Sequence, residues 1–381
     1  MRRNNIFLSG LFLTIIGLPI ILGIFDVDFN LNINENRRLA EFPKFEFEEK
    51  WKDKNFCGRI ASISKGIMNY KNDYELYHED NFKLKPVLFK SYYFIKSNIF
   101  LINPMPDKVV KGKNEWFFLG DSHSHAIKES KGIKSFNHKS METIIDNVYH
   151  RKTWLEERNI SYILAVAPNK HTIYGDYLPI KKHHGNTNFE KLKASRLTNL
   201  VSFVDLGKDF ENQANSDLYY KRDSHWNDLG AYYGYLNLMN AVEDFFEDIY
   251  IVPLSEFDTV ASIANYDDLN LPGIFKDQKS ISFEKKKVST VKIENRLNVP
   301  NDYTGPFGSY ESRFFNCKND LKVVVTGDSF STALIQFIKE SFGCSVFIRD
   351  RKFNKELFES EQPDLVINEI VERSIETLWV K

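Results

Sequence analysis

LKVVVTGDSFS, residues Leu321–Ser331, carries a continuous apolar run straight into Gly327, Asp328 and Ser329. A short strand without polar alternation is one covered on both faces, as in a parallel sheet packed between helices. The residues that follow, Phe330–Phe342, read as a helix. Ser329 therefore falls at the carboxyl end of a strand, the edge at which open α/β sheets carry their sites. A helix start there offers free backbone N–H groups and a positive dipole end, which suit an oxyanion. Gly327 lets the backbone turn tightly. Ser or Asp before a helix is also an ordinary N-cap, so this stretch alone leaves the role of the serine open.

Further short apolar runs occur at Tyr162–Ala167, Ser202–Leu206, Ser345–Ile348 and Asp364–Ile367. Between them, 139–158 has helical periodicity and Asp228–Asp248 reads as a long aromatic helix. Strand and helix alternate from about 139 onward, interrupted by 252–318, which lacks clear periodicity and reads as an irregular insertion. The pattern predicts an α/β three-layer fold with a mostly parallel sheet. Upstream, VVKGKNEWFFL at 109–119 has a hairpin-like pattern, and 61–100 reads as helical.

Ile6–Ile24 contains no charged residue and follows Arg2 and Arg3. At about 1.5 Å per residue its length just spans a hydrocarbon core of roughly 30 Å. With the basic residues before it and Asp26 and Asp28 after it, the positive-inside tendency places the rest of the chain outside the cytoplasm. A cleaved signal peptide competes with an uncleaved anchor; the lack of an A-x-A-like site after the run favours the anchor. The expected organisation is an anchor or signal at 1–25, a polar lead-in at 26–60, and one α/β domain at 61–381 with the insertion at about 252–318.

The chain has 381 residues, with 51 basic and 52 acidic side chains and a net charge of −1. That near-balance argues against a general electrostatic grip on nucleic acid. Cys57, Cys317 and Cys344 are the three cysteines, with no C-x-x-C pair, which excludes zinc-ribbon and thioredoxin readings. A Cys317–Cys344 bridge and free thiols both remain open. The 32 Phe and 18 Tyr suit an aromatic core or a stacking surface for flat ligands, and composition does not choose between them.

A second chemical signal is RDSHWN at 222–227. In an extended stretch residues two apart share a face, so Asp223 and His225 are placed for a carboxylate–imidazole pair. Asn227 or Asp228 then caps the following helix. Joined to Ser329, the pair supplies a nucleophile, a base and an orienting acid. GDSHSH at 120–125 repeats the spacing with Asp121 and His123, a decoy within the same chain.

GDSFS after a strand, with DSHWN upstream, resembles the SGNH-hydrolase-like O-acetyltransferases of the alginate O-acetyltransferase (AlgJ/AlgX) type. ENRRLAEFP at 35–43, VVKGKNEWFFLG at 109–120, APNKHTIYGDYLP at 167–179 and the Glu372-Arg373 pair resemble that family's segments in the same order. The resemblance spans most of 35–373 and is weakest over 252–318. It implies a permuted SGNH arrangement with the Asp-x-His segment before the serine. It further implies a polysaccharide O-acetyltransferase of the bacterial inner membrane with its catalytic domain in the periplasm, needing no metal or other cofactor. The acceptor would be a secreted or cell-surface polysaccharide, and a multi-pass membrane-bound O-acyltransferase would supply the acetyl group. By position, Ser329, His225 and Asp223 are the catalytic residues. Asn114 and Glu115 depart from the family's Gly-rich turn, and no carbohydrate-binding module follows the catalytic region.

In such a site the backbone N–H of Ser329, Gly327 and the side chain of Asn169 are candidates for holding the oxyanion. Trp226, with Tyr232 and Tyr233, is a candidate for the wall of a sugar groove. Lys170 and Tyr174 fit structural roles as well as functional ones. Three other readings stay open: an acetylesterase with the same triad, a catalytically silent polysaccharide-binding subunit of an export complex, and a metal hydrolase using Asp121, His123, His125, His183, His184, Asp223 and His225.

Overall fold

A computed structural model of the chain describes residues 8–10, 12–14, 17, 39–45, 55–179, 185–213, 217–263, 268–269, 279–286, 290–293 and 311–380. Two compact units divide it, one of Met1–Pro104 with Asn270–Lys276, the other of Met105–Leu269 with Asp277–Lys381. The helices expected within 61–100 thus belong to the first unit, not to the α/β domain. They span Phe56–Asp80 and Lys85–Phe94. Asn55 starts the first by accepting the Gly58 N–H at 2.8 Å. Part of the lead-in packs along it: Asp80 accepts the Ala40 N–H at 2.8 Å, and the Phe42 ring meets Tyr77 edge-on at 5.2 Å. Among the described residues no helix is long and apolar enough to cross a membrane. Most of the apolar run at 6–24 lies outside those residues.

Among the described residues the second unit holds eleven strands: β1 (Val109–Lys111), β2 (Phe117–Leu119), β3 (Ser161–Ala167), β4 (Ser202–Asp205), β5 (Phe257–Ile263), β6 (Lys279–Lys285), β7 (Thr290–Ile293), β8 (Glu311–Asn316), β9 (Lys322–Thr326), β10 (Cys344–Ile348) and β11 (Leu365–Val371). The central sheet runs β4-β3-β11-β9-β10-β8-β7. Its first five strands are parallel, and β8 and β7 join antiparallel at one side. β1 and β2 form the hairpin expected at 109–119, and β5 pairs with β6. The insertion at 252–318 is therefore less irregular than its sequence suggests, since its described residues supply four strands, two of them to the main sheet. Its strands are polar and mixed, as in KSISFEK and ESRFFN, so hydrophobic pattern does not announce them.

The apolar runs of β3, β9 and β11 bury side chains on both faces. Ile163, Ala165, Val323, Val325 and Ile367 face one core; Leu164, Val166, Val324, Val366 and Ile370 face the other. Helices Asp228–Val242 and Ser331–Ile338 contribute to the first core and His138–Glu156 to the second. This is the three-layer arrangement read from the alternation. The first core is strongly aromatic, with Trp116, Phe118, Phe210, Tyr219, Trp226 and Phe337 all buried. Much of the aromatic excess is thus core. The three cysteines are free, so Cys317 and Cys344 form no bridge.

Candidate active site

β9 ends at Thr326, and the chain turns through Gly327 and Asp328 to reach Ser329 ahead of the helix Ser331–Ile338. Neighbouring strands hold this turn. The Asp328 N–H donates to Glu369 Oε2 on β11 at 3.1 Å. The Asp328 carboxylate accepts the N–H of Phe330 at 3.0 Å and that of Val371 at 2.9 Å. Gly327 is needed for close approach, because a Cβ there would lie 2.7 Å from Glu369 Oε2. Its own N–H donates to the Ile348 carbonyl at 3.1 Å. Gly327 therefore shapes the turn and does not have the free donor that an oxyanion role requires. The Ser329 N–H has no partner among the described residues.

His225 Nε2 lies 2.6 Å from Ser329 Oγ, and His225 Nδ1 lies 2.6 Å from Asp223 Oδ1. The segment carrying the pair is a turn, not the extended stretch that the spacing suggested. Asp223 Oδ1 also accepts the His225 backbone N–H at 2.9 Å, so the carboxylate closes its own turn and reaches the ring together. Asn227 then caps the next helix, accepting the Gly230 N–H at 3.0 Å.

Two residues pin this turn. Lys170 Nζ, buried, donates to the carbonyls of Tyr220, Lys221 and Asp223 at 2.6, 2.8 and 2.9 Å. Burial pushes its pKa down to about 7. Asp268 donates its N–H to Asp223 Oδ2 at 3.1 Å and accepts the N–H and hydroxyl of Ser224 at 2.7 and 2.6 Å. Burial, and then the charge of Asp223, raise the Asp268 pKa to about 6.

The charges within the pair favour base catalysis. Burial alone would raise the Asp223 carboxyl, but the hydrogen bond and charge of His225 bring it down to about 2. Burial likewise disfavours the imidazolium, yet the Asp223 hydrogen bond and charge outweigh it and raise the His225 pKa. Asp223, His225 and Asp268 are also the one group of three among the described residues whose carboxylate and imidazole ligand atoms all come within 4.8 Å of one another. Those atoms are already bonded to one another and to Ser224. Asp121, His123 and His125 are not in that group, and His183 and His184 lie outside the described residues.

The model of the SGNH hydrolase-like domain of the acetyltransferase AlgX matches residues 109–372. The chain belongs to this family. It is an O-acetyltransferase of the AlgX type. Among solved structures, Bacillus cereus PatB1 matches at 18% identity with a TM-score of 0.52, over 71% of this chain and 97% of that one. PatB1 carrying a sulfonyl adduct matches at 17% identity with a TM-score of 0.53, over 72% and 100%. The O-acetyltransferase domain of Pseudomonas putida AlgJ is 17% identical with a TM-score of 0.45, over 71% and 92%. At these identities the PatB1 likeness speaks to the fold alone. No curated protein matches the chain.

Within the AlgX-type domain the remaining candidates separate. Asn169 is fully buried; its Oδ1 accepts from Arg373 Nη1 at 3.0 Å, and its Nδ2 has no partner among the described residues. Trp226 does not line a groove. It is buried, and its indole N–H donates to the Phe330 carbonyl at 3.2 Å. Tyr232 is buried too, and Tyr233 packs against the same core. Tyr174 is structural: its hydroxyl accepts the Leu218 N–H at 2.7 Å and its ring stacks on Trp116 at 4.0 Å. The sequence gives no sign of Asp268, which lies in the stretch that carries no periodicity.

Proposed function

We propose that the enzyme transfers acetyl groups to hydroxyls of a secreted or cell-surface polysaccharide through an acetyl-Ser329 intermediate. The observation that carries this reading is the unbroken relay from Asp223 through His225 to Ser329, with both hydrogen bonds at 2.6 Å. His225 Nε2 takes the Ser329 proton as Oγ bonds to the acetyl carbonyl carbon. The imidazolium returns that proton to the departing donor group. In the second half an acceptor hydroxyl gives its proton to His225 and attacks the acetyl carbon; Ser329 Oγ leaves and is reprotonated. Asp223 holds the ring tautomer and stabilises the imidazolium. The Ser329 N–H and Asn169 Nδ2 are the donors suited to the oxyanion.

The apolar run at 6–24 would anchor the protein in the inner membrane with this domain in the periplasm. A multi-pass membrane-bound O-acyltransferase would deliver the acetyl group. The Bacillus cereus relative carries a sulfonyl adduct. A sulfonyl fluoride is expected to modify the present enzyme at Ser329, read by mass spectrometry, and a failure to label would count against an activated serine. Incubation with an acetyl-ester donor, with and without glycan, separates the readings. Acetylated glycan supports transfer, whereas ester hydrolysis indifferent to every glycan marks an esterase. Glycan binding unaltered in Ser329→Ala, with no labelling, marks a silent subunit.

A further inference from the structure

We propose that Glu372 and Arg373 are positioning residues that aim the side-chain amide of Asn169 at the oxyanion, an inference that rests on the triad reading above. Three adjacent parallel strands bring these groups to one edge of the sheet: Asn169 follows β3, Glu372 and Arg373 follow β11, and Ser329 follows β9. Glu372 Oε2 accepts the Asn169 N–H at 2.8 Å and the Thr172 hydroxyl at 2.6 Å, which fixes the backbone of Asn169. Arg373 Nη1 donates to Asn169 Oδ1 at 3.0 Å. A guanidinium only donates, so this contact decides which end of the amide is oxygen and turns Nδ2 the other way.

That nitrogen is buried and has no acceptor among the described residues, and the Asn169 side chain makes no capping bond to the helix Lys170–Ile173 that it precedes. A buried donor without an acceptor is a standing cost to the fold. An oxygen that gains negative charge only during reaction is the acceptor that would explain it. The bracket lies beside the triad: the Arg373 guanidinium is 5.3 Å from the Phe330 ring, and the His225 ring is 5.1 Å from that same ring.

A double-mutant cycle on the full chain tests this, with kcat and KM measured for acetyl transfer from an acetyl-ester donor and folding checked by circular dichroism. Asn169→Ala should lower kcat about 100-fold and leave KM within about twofold. Arg373→Ala should lower kcat by roughly tenfold or more, also with little change in KM, and Glu372→Ala should behave alike. Arg373→Lys keeps a cationic donor and should recover a large part of the loss. The double variant Asn169→Ala/Arg373→Ala should be no slower than Asn169→Ala alone, since Arg373 acts through Asn169. Arg373→Ala within twofold of the parent would overturn the proposal, as would single losses that multiply in the double variant; the latter outcome would mean that Arg373 meets substrate directly. The triad reading fails separately, through residual transfer by Ser329→Ala, so the two failures are distinguishable.

Discussion

The chain contains Asp-Ser-His twice, at 121–123 and at 223–225, and the two copies are physically different objects. In the second, Asp223 reaches two residues forward to the ring and backbone of His225. In the first, Asp121 reaches seven residues forward, accepting the Lys128 N–H at 3.0 Å and pairing with its ammonium at 3.5 Å. His123 bonds instead to its neighbour Ser122 at 3.1 Å and is exposed. Ser124 and His125 both have left-handed backbones, which send the chain into the next helix rather than folding the carboxylate onto a ring. The tripeptide does not make the pair. What makes it is the surrounding frame: Lys170 drawing three carbonyls of the turn together, and Asp268 occupying the second oxygen of Asp223.

The largest contrast should come from the relay itself. Ser329→Ala or His225→Ala is expected to lower acetyl transfer by about 10⁴-fold or more, with the unfolding midpoint little changed. Purified variants assayed with the same donor and glycan would show it. Asp223→Asn should follow, losing roughly 10³- to 10⁴-fold because the tautomer is no longer held. It should also move the pH profile. His225 acts as a base only when neutral, so activity falls as pH drops through its raised pKa. Removing the negative charge of Asp223 lowers that pKa, and the acidic limb of kcat against pH should shift to lower pH.

Next in size are the residues that frame the turn. Lys170→Met would leave the buried carbonyls of Tyr220 and Asp223 and the half-buried one of Lys221 without their donor, at about 1–3 kcal/mol for each buried group before relaxation. A clear drop in unfolding midpoint is expected, with activity lost in proportion to displacement of the turn. Asp268→Asn should be milder, since it keeps an acceptor for Ser224 and removes a carboxylate that contributes to raising His225. Its acidic limb should move in the same direction as that of Asp223→Asn, by less, and its plateau should stay within about tenfold of the parent. An unmoved limb would show that Asp268 is neutral at working pH.

The residues of the relay were legible because each rests on a local signal. A strand running into Gly-Asp-Ser ahead of a helix places Ser329, and an Asp two residues before a His with a capping Asn behind it places His225. The contribution of Asp268 to the frame was not legible, because it reaches the turn only through loop return, which a single sequence does not display. The same limit explains Trp226. An aromatic residue beside the histidine of the pair fits a groove wall or a core equally well, and only the indole N–H bonded to Phe330 decides. The fold divides likewise: the strands buried on both faces announced themselves, while the polar strands β5 to β8 did not.

The smallest effect should belong to the decoy, and it is the sharpest test of the comparison. The pKa of His123 is lowered, first by partial loss of solvent and then by the charges of Arg373 and Lys108, the opposite direction from His225. Among the described residues no carboxylate steadies an imidazolium there, so His123 is a poor general base even though its motif is the same. His123→Ala should change kcat by less than about threefold and leave the acidic limb where it is. A loss of kcat comparable to that of His225→Ala would instead mean that the first Asp-Ser-His belongs to the chemistry, and that the frame around the second is not what distinguishes them.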